Sequence, residues 1–204
     1  MKEDKRHLTN EEVLKYLKQR IWKTKEARIE ASYRLRAKHN FFEKITNIYS
    51  LIILILSVWF LNSDEETGVL ATRILLVLSL TMTYFTMYLN TKNYKERAGN
   101  FETNYQQLDV LLNKINRYEI DEVELNHDRI KSLQREYEKL LIGKENHLNI
   151  DYYNAMTKRK KEDYSIEIMK ERLKDWVSKV FICLFPIIVL IIIYVFNIFL
   201  NIFP

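Results

Sequence analysis

The side chains able to do chemistry are numerous in this sequence, but their spacing is not that of a catalytic or metal-binding site. The four histidines, His7, His39, His127 and His147, lack the spacing typical of zinc ligands. The three glycines are isolated, so no glycine-rich phosphate-binding loop is predicted. Neither a nucleophile elbow nor a Cys–His signature accompanies the single cysteine, Cys183. We therefore predict a protein that is not an enzyme and uses no cofactor and no metal.

The charged residues are typical of solvated helix surfaces rather than of a site. Carboxylates alternate with lysine and arginine at helical spacing, and a lone cysteine predicts no intrachain disulfide. The basic run 158–161 has two interpretations, contact with an acidic partner or phosphate and simple solvation, and we favour solvation. The net charge of +5 is compatible with nucleic-acid binding. Membrane topology explains it more simply, so no direct nucleic-acid binding is expected.

A more informative polar pattern lies inside two apolar segments, where hydroxyl and amide side chains recur at helical spacing. The candidates are Asn47, Ser50 and Ser57 on the first segment, and Thr72, Ser79, Thr83, Thr86 and Asn90 on the second. Such residues usually mediate helix packing and interhelical hydrogen bonds in membranes. They can also line a water-filled path in an oligomer. The sequence favours packing, and both interpretations hold together if protomers assemble around this face.

The segments that position these residues are Ile45–Leu61 and Ile74–Asn90, and neither contains a charged residue. A helix needs about 20 mainly apolar residues to cross a membrane. The second segment reaches that length if it begins at Val69, with Arg73 near its end, and the acidic stretch 62–68 joins the two. Because both segments are apolar all round, they indicate a transmembrane hairpin rather than two buried helices of a soluble protein.

A third apolar segment, Val177–Phe203, ends the chain and contains Pro186, which membrane helices tolerate. We predict a third crossing, and the alternative is a re-entrant or surface segment. The predicted fold class is all-α. It is a membrane protein with an N-terminal two-helix transmembrane hairpin, long cytoplasmic helices and a C-terminal third transmembrane helix.

Charge asymmetry predicts orientation. Residues 1–44 carry thirteen Lys/Arg and seven Asp/Glu, and the hairpin turn carries three acids and no base. Because positive flanks stay in the cytoplasm, we expect a multi-pass membrane protein with its amino terminus inside. No signal peptide is predicted, so the first membrane helix would direct insertion. The predicted domains are a basic amphipathic cytoplasmic helix (1–44), the hairpin (45–90), a cytoplasmic helical region (91–176) and the C-terminal transmembrane helix (177–204).

The amino-terminal helix is predicted to begin at Thr9, a capping residue followed by acids. Its apolar stripe consists of Val13, Leu14, Leu17, Ile21 and Trp22. This stripe either lies on anionic headgroups or packs on the other cytoplasmic helices, and we favour packing.

Heptad spacing follows the hairpin, at Tyr94, Ala98, Phe101, Tyr105, Leu108, Leu112 and Ile115. It predicts that the second membrane helix continues unbroken into this run. A second run, Val123, Asn126, Ile130, Leu133, Tyr137 and Leu140, predicts an antiparallel pair with a turn near 118–121 and a stop at Gly143. We predict a homo-oligomer whose seam is Tyr94, Phe101, Tyr105, Leu108, Leu112 and Ile115, although one protomer alone can also satisfy this face. A third helix, capped by Asn149 or Asp151, leads through Ile166, Met169, Leu173 and Trp176 to the last segment.

Two stretches of this chain resemble the SLATT domain. They are ARIEASYRLRAKHNFFEKITNIYSLIILILSVWFL and, after the acidic turn, YLNTKNYKERAGNFETNYQQLDVLLNKI. The third membrane segment looks most like the fifth SLATT family, which is associated with reverse transcriptases. The resemblance implies an antiviral effector that forms a pore or disrupts the membrane when triggered. It also implies a partner from a neighbouring gene, a sensor or a reverse transcriptase, and it supplies no catalytic residues.

Three function hypotheses follow from these patterns. The leading one is an effector that permeabilises the inner membrane of an infected cell, with the lipid bilayer and further copies of itself as its partners. The second is a non-catalytic membrane scaffold whose cytoplasmic helices recruit or restrain a partner protein. The third, a small constitutive channel, is disfavoured because the membrane segments lack a central charge.

Overall fold

The computed structural model describes residues 9–62, 65–121, 126–159 and 162–202. Within these ranges the chain is helical and contains no strand, which confirms the all-α prediction. The helices are α1 (Asn10–Trp59), α2 (Glu65–Thr91), α3 (Tyr94–Ile120), α4 (His127–Leu141), α5 (Asn149–Lys158) and α6 (Ser165–Ile202), with a 3-10 turn at Phe60–Asn62 after α1.

The chain forms two compact units. The bundle unit consists of residues 1–36 and 95–169, and the membrane unit consists of residues 37–94 and 170–204. Three helical stretches are long and apolar enough to cross a membrane, and they include the apolar parts of α1, α2 and α6. Their apolar side chains are largely exposed, as in Leu54 (60%) and Leu80 (61%). Exposed apolar surface of this extent suits a helix surrounded by lipid.

Helix α1 begins where the sequence predicts. The Thr9 backbone N–H donates to Glu12 Oε2 at 2.9 Å, and the Glu12 N–H donates to Thr9 Oγ1 at 3.3 Å. This reciprocal pair is a capping box, which satisfies two of the amide groups that a helix start leaves without partners.

The core of the bundle unit is built from one apolar face each of α1, α3 and α4. The members are Leu14, Leu17 and Ile21 of α1, Leu108, Leu111, Leu112 and Ile115 of α3, and Leu133 and Tyr137 of α4. Burial of each such side chain is worth about 1.5–3 kcal/mol. The apolar stripe of α1 therefore packs on neighbouring helices, which is the favoured of its two interpretations.

Helices α3 and α4 form the predicted antiparallel pair. The Asn104 amide donates to the Leu140 carbonyl at 2.8 Å, and farther along Lys114 pairs with Glu136 at 2.7 Å. The predicted stop at Gly143 is also confirmed, since α4 ends at Leu141 and Gly143 adopts a φ of 69° that favours glycine. Val123 of the second heptad run lies outside the described residues.

The predicted unbroken helix through α2 and α3 is wrong. Helix α2 ends at Thr91, and α3 begins at Tyr94. Asn93 adopts a φ of 48°, and its N–H donates to the Asn90 carbonyl at 3.1 Å. Asparagine enters this left-handed conformation more readily than most residues and so can end a helix without glycine.

The predicted single helix from residue 149 into the third apolar segment is also wrong, because α5 ends at Lys158 and α6 starts at Ser165. Asp163 caps the new helix by accepting the Ser165 N–H at 3.0 Å. Asp151 lies in the first turn of α5 and accepts the Leu148 N–H at 2.9 Å. The predicted stripe on α6 is exposed, from Ile166 (62%) to Trp176 (61%).

Candidate functional site

Most of the candidate hydroxyl groups of the membrane unit are hydrogen-bonded within their own helices. Each donates to the carbonyl oxygen three or four residues earlier, at 2.7–2.9 Å. The candidates that do so are Ser57, Thr72, Ser79, Thr83 and Thr86. The proton of each hydroxyl is thereby satisfied, while its oxygen retains the capacity to accept a hydrogen bond.

Three of these hydroxyl residues meet in one groove between α1 and α2. Ser57, Thr72 and Ser79 line a cavity of about 330 Å³ whose remaining walls are apolar, including Leu75 and Leu76. The two predicted polar faces of the hairpin therefore do converge, at the end of the hairpin nearest its turn. We call these three residues and their groove the hydroxyl groove.

The other five candidates lie outside the hydroxyl groove. Thr83 is exposed and Thr86 is half-buried on α2, and Asn47, Ser50 and Asn90 are exposed. One protomer thus leaves much of the predicted polar face uncovered, so the face is available to lipid, water or another copy.

The predicted oligomer seam lies largely inside the protomer. Phe101 (4% exposed), Leu108 (0%), Leu112 (8%) and Ile115 (0%) are all buried, and the last three belong to the bundle core. Tyr105 in the bundle unit and Tyr94 in the membrane unit are half-buried. We therefore correct the assignment of these four buried residues as a seam. A heptad pattern predicts that one face of a helix is buried, but it does not indicate which chain covers that face. In this protein α1 and α4 of the same protomer pack on α3.

The bundle unit contains an ion pair with a buried carboxylate, and the pair joins residues far apart in sequence. Arg34 on α1 donates from Nε to Asp151 Oδ1 at 2.7 Å and from Nη2 to Oδ2 at 3.0 Å. The Asp151 side chain is fully buried, and it also caps α5. A two-pronged contact of this kind gives strong and directional hydrogen bonds.

The buried guanidinium of Arg28 has fewer hydrogen-bond partners. Arg28 is 2% exposed, and its Nε and Nη1 atoms have no hydrogen-bond partner among the described residues. Burial lowers the pKa of this guanidinium. The buried Oδ1 of Asn104 likewise lacks a donor within the described part of the chain. Unpaired buried polar groups cost stability, so this region of the core is less stable than an apolar one would be.

The polar cluster of the bundle unit that comes nearest to an acid–base site contains Lys23, Tyr152, Glu162 and Tyr164. The hydrogen bond between the Tyr164 hydroxyl and Glu162 raises the pKa of Tyr164 to about 12 and lowers the pKa of Glu162. The hydrogen bond to Tyr152 raises the pKa of Lys23. All three pKa values move away from neutrality, whereas acid–base catalysts are tuned toward it.

Sequence reasoning missed these polar contacts of the bundle unit. Arg34 and Asp151 are 117 residues apart, and no local pattern pairs them. The only sequence signal was the predicted capping role of Asp151. No group of three or more metal-ligating side chains occurs within the ranges that the structure covers.

The comparisons with known proteins identify the family. The model of SMODS and SLOG-associating 2TM effector domain family 5 matches residues 10–200, which is nearly the whole chain. The chain belongs to this SLATT family. The resemblance predicted from the sequence is thereby confirmed. No curated protein and no solved structure matches the chain.

Membership of the SLATT family makes this chain an effector domain associated with membranes, as its apolar helices also indicate. The family description counts two transmembrane helices. In this SLATT protein, α1, α2 and α6 each include a stretch that is long and apolar enough to cross a membrane. The hydroxyl groove lies between two of the three candidate membrane helices, α1 and α2.

Proposed function

We propose that this SLATT protein is a bacterial antiviral effector that permeabilises the inner membrane by assembling several copies around their hydroxyl faces. The supporting observation is the exposure of Ser79 and Thr83 on a helix otherwise suited to lipid. Lipid offers these oxygens no hydrogen-bond donor, whereas water in a path between protomers does. The groove of a single hairpin is too small to serve as a channel, so the path requires more than one copy.

The trigger in this proposal comes from outside the chain. A neighbouring-gene product, either a sensor or a reverse transcriptase, would act on the bundle unit, whose surface carries many exposed charges. The Nε and Nη1 atoms of Arg28, which are buried without hydrogen-bond partners among the described residues, support a bundle that a partner can rearrange, because such groups lower the stability of the core.

A second function has its own supporting observation. Because the hydroxyls donate within their helices, they do not require water, and the polar face can serve packing alone. The protein would then be a membrane scaffold that binds a partner without conducting ions.

Controlled expression in bacteria distinguishes the two functions. We expect membrane potential, followed with a voltage-sensitive dye, to collapse in the effector case before growth stops. Cells that express an unrelated soluble coiled-coil protein at equal abundance control for expression load. A normal potential and normal growth, with the protein shown to be in the membrane fraction and its trigger co-expressed, would support the scaffold instead.

The proposed topology places the amino terminus and the bundle unit inside, with the hairpin turn and carboxyl terminus outside. Its basis is the charge difference between residues 1–44 and the acidic turn. Reporter fusions at Glu66, Gly143 and Pro204 should report outside, inside and outside. A cytoplasmic result at Pro204 would remove the third crossing while leaving the hairpin intact.

A further inference from the structure

The ends of the three apolar segments enclose a second cavity in the membrane unit, of about 350 Å³. Its lining includes Phe42, just before the first segment, and Tyr88, in the last turns of α2. From α6 it includes Asp175, Lys179 and Phe185. All of these residues lie at the same end of their segments, opposite the hairpin turn. We call this cavity the basic crevice.

Charge in the basic crevice comes from two lysines and one carboxylate. Lys38 Nζ lies 3.2 Å from Asp175 Oδ1, and Lys179 Nζ lies 2.7 Å from Asp175 Oδ2. All three side chains remain about one-third exposed, at 31%, 36% and 33% for Lys38, Lys179 and Asp175. Two lysines and one aspartate leave a net charge of +1. Asp175 therefore holds the lysines together without neutralising both.

The wall of the basic crevice is aromatic. Phe42 stacks on Tyr94 with ring centroids 5.7 Å apart, and Phe85 stacks on Phe185 at 6.2 Å. Lys179 lies 5.5 Å from the ring centre of Phe41. Aromatic side chains with adjacent lysines are characteristic of the boundary between headgroups and acyl chains.

We propose that the basic crevice binds the phosphodiester of an anionic glycerophospholipid of the phosphatidylglycerol class. Lys38 and Lys179 contact the phosphate, and the aromatic wall contacts the glycerol backbone and the start of an acyl chain. The net charge of the crevice complements a headgroup with a single negative charge. Basic pockets between membrane helices bind anionic headgroups by the same means.

A lipid fits the crevice better than a free phosphate ester does. A free phosphate would use the two lysines but would leave the aromatic wall without a partner. A lipid uses both, because its phosphate lies at the level of the lysines while its chains extend along the apolar part of α6. Asp175 repels the phosphate, so in this arrangement the carboxylate weakens binding even though it positions both lysines.

The test uses the full chain in detergent micelles, with bound lipid counted by native mass spectrometry in an equimolar mixture of phosphatidylglycerol and phosphatidylethanolamine. The wild-type protein should retain phosphatidylglycerol preferentially. The double variant Lys38→Met, Lys179→Met should lose affinity by about 10- to 30-fold, as expected for two lysines near a lipid surface. The control Lys44→Met, Lys174→Met removes the same charge from exposed positions outside the crevice and should retain the preference.

Asp175→Asn provides the opposite test. Removing the competing charge should strengthen phosphatidylglycerol binding by about fivefold. A purely structural role for the lysine–aspartate cluster predicts no gain in this variant. The proposal is overturned if wild type shows no lipid preference, if the control variant loses as much binding as the crevice variant, or if Asp175→Asn gains nothing. Displacement of the lipid by millimolar glycerol phosphate would assign the crevice to a free phosphate ester and would also overturn it.

Discussion

Replacing Asp151 with alanine is expected to destabilise the bundle unit by about 2–4 kcal/mol, because it removes charge-assisted hydrogen bonds worth about 1.5–3 kcal/mol and a helix cap worth about 1 kcal/mol. The variant leaves the Arg34 guanidinium without its two-pronged partner and the Leu148 N–H without its acceptor. Urea unfolding in a mild detergent, followed by far-ultraviolet circular dichroism, measures the loss. Helix α5 should unfold first, because it loses its cap together with its link to α1.

Two further variants sharpen this test. Glu145→Ala removes an exposed arginine–carboxylate pair with Arg97 and should cost only about 0–1 kcal/mol. The double variant Arg34→Met, Asp151→Leu removes both charges and should recover part of the loss, since apolar replacement of a buried pair is often neutral. We expect the recovery of stability to be incomplete, because the Leu148 N–H still lacks its acceptor. If Asp151→Ala were as mild as Glu145→Ala, the buried pair would contribute little to the fold.

The triple variant Ser79→Ala, Thr83→Val, Thr86→Val is expected to abolish toxicity and ion leakage. Volumes stay close to those of wild type, so membrane insertion should be unaffected. An apolar face favours loss of water from a narrow pore, and a dewetted pore does not conduct. Any interhelical hydrogen bonds that are lost would cost about 1–2 kcal/mol each, and often nearer 0.6. Abundance and oligomeric size should therefore persist while conduction stops.

The matched control for this variant is Thr81→Val. Thr81 lies across α2 from Ser79 and Thr83. The control makes the same chemical change away from the proposed path and should remain toxic. Undiminished leakage in the correctly inserted triple variant would remove this face from the pore. Leakage lost equally in both variants would indicate a general effect of hydroxyl removal.

The three apolar helices and the core of the bundle were predictable because their signals are local. Apolar runs and helical spacing report burial or lipid contact within one segment, and this information located α1, α2 and the core positions from Leu14 to Leu133. The two helix breaks escaped prediction because each depends on one or two residues. Asn93 and Asp163 end or start helices without the glycine or proline that usually marks such points.

The candidate site was predictable only in part. Helical spacing placed Ser57, Thr72 and Ser79 on polar faces, and the structure brings these faces together. The same kind of spacing could not say whether α3 packs against its own chain or against another copy. The Arg34–Asp151 pair and the burial of Arg28 arise from contacts between distant helices, which no pattern within one helix encodes.

The hydrogen bonds that the membrane hydroxyls make within their own helices bear on how the protein is made. A serine or threonine whose hydroxyl already donates a hydrogen bond within its own helix adds little to the free-energy cost of inserting that helix into lipid. The hairpin can therefore leave the insertion machinery as a single copy, without waiting for others to shield its polar face. Biosynthesis and assembly thereby become separable steps, and single protomers can accumulate in the membrane before any assembly takes place.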